Sequence, residues 1–477
     1  VLSVSDPAPG PLARIHAPRG HPYFLIADGA AWTPIGHNDA VDWPELNPLF
    51  RRRDPAAVER HLIWLRDHGV TCIRLMLEYC HGEHRYLERP IGRFVPNMVQ
   101  FWDDLFELLE KVGLRVLLTP YDTFFMWIRW RNHPYNQANG GTCAHPGSWL
   151  TCPETRAAIK HRLAFASDRW GASPALFAWD LWNEIHPAHG GGDPATAAPF
   201  LDDIAGWLRA HEIERRGYAN LQTVSVFGPE LINHPSLVET IFRHPALDFA
   251  NTHLYEHGTI DAPADTVAPA LAVARLMRSA VEEAGTRAVF DSEHGPIHSF
   301  KDKKRTLPAA FDDEYFRHIQ WAHLASGGAG GGMRWPNRHP HVLTPGMRKA
   351  QRGLADFLPL IDWTRFKRRN LSTELVSDDP GLALVGCGDA HQAVVWALRT
   401  DCLSSQGTVK PQEAAPAATL RIPELADGSY AVTTYDTARG RIIARAEARS
   451  EGGVLHAMLG PVHADLAVAV QAAELRG

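Results

Sequence analysis

A chain of 477 residues, 45% of them hydrophobic and 21% charged, is long enough for a barrel of about 250 residues or more plus a smaller module, so two domains are expected. A formal net charge of −6 offers no basic footprint, which sets nucleic acid aside as a partner. No apolar run approaches the roughly 18 residues of a membrane span, and VLSVSDPAPGPLARIHAPRG at the start lacks the basic opening and apolar centre of a signal peptide. Because the first residue is Val1 rather than Met, a processed or trimmed chain is expected; localisation stays open, a secreted or periplasmic site ahead of a cytoplasmic one.

Residues 1–22 read as an N-terminal extension. Beyond them, short apolar runs ending in polar or glycine residues alternate with amphipathic stretches, a βα rhythm. The candidate strands are WTPIGHND (32–39), VTCIRLMLEY (70–79), LRVLLTPYD (114–122), LFAWDLWNE (176–184), LQTVSVFG (221–228), DFANTHLYE (248–256), RAVFDSEHG (287–295) and AGGGMRWP (329–336). Helix-like segments at 54–69, 96–113 and 153–171 open at Asp or Pro and stop at Gly, and 355–366 reads as a last helix. Eight strands alternating with helices predict an α/β chain with a (β/α)8 TIM barrel over 23–366; a doubly wound open sheet is the alternative. From Asn370 the texture changes to short alternating runs at 391–399, 428–437, 441–449 and 464–471, which predict a C-terminal antiparallel β-sandwich over 367–477 with a loop at 404–418. Six cysteines form no C-x-x-C pair; Cys72 reads as a buried thiol, and Cys143 and Cys152, flanking a Gly-rich loop, form a candidate disulfide.

In such a barrel the chemistry gathers where strands end. Strand two carries Arg74 and Glu78, strand four ends in Asn183 and Glu184, strand six carries His253 and Tyr255, strand seven ends in Glu293 after Asp291, and strand eight ends in Trp335. A carboxylate closing an apolar strand costs several kcal/mol if buried alone, so two at one mouth demand a reason. Glycoside hydrolysis supplies it: one carboxyl protonates the leaving oxygen, and the other attacks or activates water. Strict alternation would place Asn183 opposite Glu184, so a bulge or loop start is expected there. Taken singly, each residue also has a structural reading: Arg74 with Glu78 as an ion pair, His253 as a core histidine, Trp335 as packing, and Asp180 and Asp291 as hydrogen-bond partners.

As an ordered set, Arg74, WNE (182–184), HLY (253–255), DSEHG (291–295) and Trp335 resemble clan A glycoside hydrolases, and within them the family 5 cellulase and mannanase type. The resemblance runs over most of 23–362 and implies a retaining mechanism with Glu184 as acid/base and Glu293 as nucleophile. Tyr121-Asp122 stands where many family members carry a histidine late in strand three. In the predicted site Arg74 and Tyr255 keep Glu293 ionised, while desolvation by Trp182 and the charge of Glu293 keep Glu184 protonated. Asn183 donates to the sugar, Trp335 stacks on it, and His37, Asn38, Asp122, His253 and His257 line a polar cleft.

HGEH (81–84) and HPH (339–341) invite metal ligation, but strand one ends in GHND rather than His-x-His, so no metal or other cofactor is expected. The aromatic-rich loop at 123–150 predicts a sugar-binding wall that tilts the site toward a blocked pocket, and 186–199 shapes the leaving-group side. The predicted activity is hydrolysis of an oligosaccharide or other β-linked glycoside, with β-mannosides or β-glucosides favoured by the resemblance and β-galactosides or pentosides as alternatives. A carbohydrate-binding protein on a barrel scaffold that has lost catalysis is the competing class.

Overall fold

The structure, a computed structural model, describes residues 12–78, 86–255, 263–296, 306–336 and 341–476. His81, His84, His257, His339 and the first eleven residues of the N-terminal extension lie outside the described residues.

A small antiparallel sheet opens the chain, from β1 (Ile15–His16), β2 (Phe24–Ile26) and β3 (Ala31–Trp32). Five parallel strands follow in sequence order: β4 (Gly36–Asp39), β5 (Cys72–Met76), β6 (Arg115–Thr119), β7 (Leu176–Asp180) and β8 (Leu221–Thr223). Gly36 is required where β4 meets β5, because a Cβ there would lie 1.6 Å from the Cys72 carbonyl oxygen. β9 (Ala250–Thr252) pairs in parallel with β10 (Val289–Asp291). Isolated parallel bridges carry the pairing onward: Phe227 to His253, His294 to Arg334, and Arg334 to His37. The expected eighth strand is thus reduced to a bridge at Arg334. Positive φ at Gly330 (150°) and Gly332 (73°) turns the backbone away from a continuous ladder.

Helices separate these strands: α1 (Pro55–Asp67), α2 (Pro96–Val112), α3 (Thr123–Ile128), α4 (Pro153–Trp170), α5 (Ala197–Arg216), α6 (Gly228–Asn233), α7 (Ala268–Ala284), α8 (Ala309–Ala325) and α9 (Pro345–Phe357). Their boundaries follow local chemistry. Asp54 accepts from the Ala57 N–H ahead of α1, and Gly113, at φ 90°, ends α2 with its N–H on Leu109 O. The last helix lies about ten residues before the predicted 355–366, because Thr344 caps its start and Pro345 opens it. No helix among the described residues is long and apolar enough to cross a membrane.

The C-terminal part is one antiparallel sheet of nine strands. The four predicted runs are β14 (Gln392–Arg399), β16 (Gly428–Asp436), β17 (Arg441–Glu451) and β19 (Asp465–Ala472), and five more were not read: β11 (Arg369–Asn370), β12 (Val376–Ser377), β13 (Leu382–Gly388), β15 (Ala417–Pro423) and β18 (Val454–Pro461). Strand alternation divides β14 between two cores. Ala393, Val395 and Ala397 pack with Leu420, Val432, Leu455 and Val468, while Val394, Trp396 and Leu398 join Trp321, Phe357 and other residues of the α8 and α9 layer.

Asp465 fastens these layers. Its fully buried carboxylate accepts from Arg317 of α8 (3.0 Å), Trp396 Nε1 (3.1 Å) and the Thr437 hydroxyl. Burial opposes its ionisation, but Arg317 and His318 prevail and hold the carboxyl well below the usual range. Asp465→Ala should therefore cost about 3–5 kcal/mol in urea unfolding, since Arg317 keeps only the more distant Glu314 (3.8 Å) and the Trp396 and Thr437 donors lose their acceptor. Because the folded-state pKa is depressed, this contribution is present above the unfolded value near 3.9 and fades as pH falls toward the folded one. A loss under about 1 kcal/mol would remove Asp465 from this role.

The candidate disulfide is not formed: Cys143 and Cys152 are both free. Cys143 is buried with its sulfur on His145 O (2.9 Å), and Cys152, at the start of α4, turns toward Glu154 (3.3 Å).

Candidate active site

Arg74 is the centre of the constellation. Buried on β5, its guanidinium donates from Nη1 to Glu293 Oε2 (2.9 Å) and Asn38 Oδ1 (2.9 Å), and from Nη2 to Asp180 Oδ2 (2.7 Å) and Asn183 Oδ1 (2.5 Å). Asp180, at the end of β7, also accepts from Thr119, Ser225 N and Ser225 Oγ, so one buried carboxylate ties four neighbouring strand ends together. The Arg74–Glu78 pair weighed from sequence does not exist. Glu78 instead pairs with the buried Arg162 of α4, beyond the edge of β5.

Two carboxyls face one another across this centre. Glu293 accepts from Tyr255 Oη (3.0 Å) as well as from Arg74, while Glu184 Oε1 lies 2.8 Å from His253 Nδ1. His253 Nε2 reaches Ser292 Oγ at 3.0 Å. One oxygen from each carboxylate and a His253 nitrogen all fall within 4.8 Å of one another. These three groups could ligate a cation, but Arg74 already fills that role for Glu293.

The predicted break in alternation is real. β7 ends at Asp180, and Glu184 has φ 53°, a left-handed conformation that turns its side chain to the same mouth that Asn183 borders. Thr123 holds the turn by donating to Glu184 O (2.6 Å) while accepting from Trp182 Nε1 (2.8 Å), and Ser225 Oγ accepts from the Glu184 N–H (3.1 Å). Thr123 and Ser225 gave no sequence signal, because a hydroxyl that serves the backbone of a neighbouring strand belongs to no local motif; Ser292 lay within DSEHG, but nothing in the sequence paired it with His253.

Not every candidate reaches the mouth. Trp182 is fully buried among Tyr121, Trp149 and Phe200, so it packs the layer behind the strand rather than contacting sugar. Asn38 spends its amide on Ser292 O and its oxygen on Arg74, which makes it a positioning residue. His37, one residue earlier and so on the opposite face of β4, lies against Arg348 and away from the carboxylates. Asn183 donates to Asp122, which is half-buried at the rim, and Trp335 is half-buried in a T-shaped contact with Trp43, ring centroids 5.1 Å apart. In the loop at 123–150, Trp149 and Tyr135 are buried packing, whereas Phe124 and Trp127 remain 39% and 38% exposed beside the Glu184 turn.

The expected division of protonation between the glutamates is not present in this geometry. Burial, opposed by Arg74 and reinforced by Asp180 and Glu230, raises Glu184 to about 7. Burial also raises Glu293 to about 7, where His253, Arg74 and Tyr255 oppose it and Glu184 adds to it. Arg74 divides its charge between Glu293 and Asp180, so it does not hold Glu293 low as predicted. His253 is driven down to about 4, mainly by burial, and is neutral near pH 7.

No protein-family model matches the sequence, and no curated protein sequence matches it. Solved structures do. A glycoside hydrolase is similar over 97% of both chains at 12% identity and a TM-score of 0.56. A glycoside hydrolase family 5 structure from Bacteroides vulgatus is similar over 97% of this chain and 94% of its own, at 10% identity and a TM-score of 0.60. At such identities the likeness is one of architecture: this chain has the fold of glycoside hydrolase family 5 structures.

Proposed function

We propose that the chain is a retaining glycoside hydrolase acting on β-linked sugars, with Glu293 as nucleophile and Glu184 as acid/base. The observation that carries this reading is the facing pair of carboxyls, Glu293 buried and Glu184 partly exposed to the mouth, with oxygens within 4.8 Å. Retaining enzymes hold their carboxyls about 5–5.5 Å apart, whereas inverting ones leave about 6.5–9.5 Å for a water. The parallel pairings that run from β4 through Arg334 back to β4 support a (β/α)8 barrel over 23–366, and the core enclosed by the C-terminal strands supports a β-sandwich over 367–477.

With one proton shared by two carboxyls raised to the same level, the reactive form is the one that carries it on Glu184. Glu293 receives donors from both Arg74 and Tyr255, which favour its ionised form; among the described residues Glu184 has His253 alone. In the first step Glu293 attacks the anomeric carbon while Glu184 gives its proton to the glycosidic oxygen, and the leaving group departs as an alcohol. In the second, Glu184 takes a proton from water, whose oxygen attacks the anomeric carbon and releases Glu293. Neutral His253 can accept from protonated Glu184 or donate to its carboxylate, exchanging tautomers against the Ser292 hydroxyl. Trp335 offers a stacking face, and Asp122 and Asn183 offer polar contacts at the rim. The sequence resemblance puts β-mannosides and β-glucosides first.

A panel of nitrophenyl glycosides identifies the sugar, and proton NMR of the first-formed anomer tests the mechanism. Glu184→Ala should slow substrates with poor leaving groups by roughly 10²–10⁴-fold and activated aryl glycosides far less, with azide restoring part of the latter turnover. Release of the inverted anomer would remove the nucleophile role of Glu293. Sugar binding without turnover of any substrate would favour a binding protein.

A further inference from the structure

A second group of ligand-type side chains lies behind β4, outside the constellation around Arg74. His37, Asp39 and Glu45 each bring one ligand atom within 4.8 Å of the others. His37 Nε2 is 4.0 Å from Asp39 Oδ2, and His61 of α1 adds its Nε2 at 3.6 Å from Glu45 Oε2. We propose that His37, Asp39, Glu45 and His61 form a binding site for one divalent cation of zinc type, which fastens the segment after β4 to α1.

Two buried atoms point to a missing partner. The Asp39 side chain is 2% exposed; its Oδ1 takes the Ala40 N–H, and its Oδ2 has no hydrogen-bond partner. His61 Nε2 is likewise buried without one. A buried carboxylate oxygen and a buried ring nitrogen left unsatisfied each destabilise the fold, and a shared cation would relieve both. Two imidazole nitrogens and two carboxylate oxygens form a donor set that suits tetrahedral zinc. The present separations exceed those across a zinc tetrahedron, and His61 stands outside the set of three, reaching it only through Glu45, so binding requires the three to close in and His61 to swing toward them. Glu45 and His61 side chains, 19% and 15% exposed, leave a route from solvent.

Arg348 is the opposing charge. Its Nη1 and Nη2 lie 3.1 and 3.4 Å from the two ring nitrogens of His37, so the guanidinium spans the ring instead of meeting it end-on. Among the described residues, no ion pair joins Arg348 to Asp39 or Glu45. Burial raises the Asp39 and Glu45 carboxyls, and the Glu45 charge raises Asp39 further, so a divalent ion would displace a proton as it binds; with both ionised, two carboxylates face one guanidinium and the ion is favourable there.

The segment that the ion would secure carries Trp43, whose ring stacks on His341 (4.7 Å between centroids) and meets Trp335 in the T-shaped contact (5.1 Å). The ion would thereby brace the wall of the mouth without touching the reacting atoms.

The test is calorimetric titration of the full chain, stripped with EDTA, with zinc chloride, followed by cobalt substitution and visible spectroscopy. One equivalent should bind with a rise in Tm, and cobalt should give the intense bands of a tetrahedral site. Asp39→Asn and His61→Ala should each weaken binding beyond the roughly 10–100-fold that loss of an outer partner costs, whereas His253→Ala should leave it unchanged. Glu45→Gln, at the solvent edge, replaces Asp39→Asn if that variant does not fold. No binding, equal binding by both ligand variants and the wild type, or binding lost in His253→Ala would each overturn the proposal.

Discussion

Glu293→Gln is expected to lower kcat/KM by roughly 10⁴–10⁶-fold on every substrate the wild type cleaves, a loss of about 5.5–8 kcal/mol in transition-state stabilisation. The substitution keeps the volume and allows the amide oxygen to accept from Arg74 or Tyr255, so circular dichroism and Tm should change little. Residual activity above about 1% of wild type would mean another group attacks the anomeric carbon. The partner variant, Glu184→Gln, supplies the electrostatic half of the same experiment. Because the Glu184 charge helps hold Glu293 up near 7, neutralising it lets Glu293 ionise more readily. Turnover of activated aryl glycosides by that variant should show its acid limb displaced to lower pH and its alkaline limb lost. An unmoved acid limb would break the proposed coupling.

Arg74→Met should damage both stability and chemistry. Asp180 and Glu293 lose their shared counter-charge, and Asn38 Oδ1 and Asn183 Oδ1 lose their donor, all in buried surroundings. Breaking a buried pair from one side costs about 3–5 kcal/mol, to be read from urea unfolding. Arg74 also lowers the Glu293 pKa, so any residual activity should have its acid limb at higher pH, opposite in direction to Glu184→Gln. Arg74→Lys should recover part of the stability but not the fork that serves Asp180 and Glu293 together. A variant that unfolds like wild type would show that Asp180 and Glu293 are neutral without it.

Much of this was legible because apolar runs ending in carboxylates leave a physical mark. FAWDLWNE and VFDSE announce strand ends, and Asn183, Glu184 and Glu293 are where that reasoning puts them. Side-chain direction was harder to read. His37 and Asn38 are neighbours with opposite fates, and only pairing with β5 tells which one faces Arg74. Trp182 lies two residues from Glu184, but alternation had already stopped at Asp180, and the tryptophan went to the core. The C-terminal strands β13, β15 and β18 escaped notice since LALVGCG, AATLRIP and VLHAMLGP mix Gly, Pro and Ala into otherwise alternating runs. The equal elevation of both glutamates was invisible for a different reason: a sequence names the neighbours of a carboxyl but not how they divide their charge.

The left-handed backbone at Glu184 has a consequence for how such a chain can change. A residue with a Cβ held at φ 53° carries about 1 kcal/mol or more of strain, which glycine would not, and asparagine would bear with less. Drift toward a sturdier chain would relieve such strain here as it would at Arg51, Arg52, His341 and Glu424, but only here would the gain in stability remove the group proposed to handle the proton. On the proposed mechanism, fold and chemistry compete at a single residue.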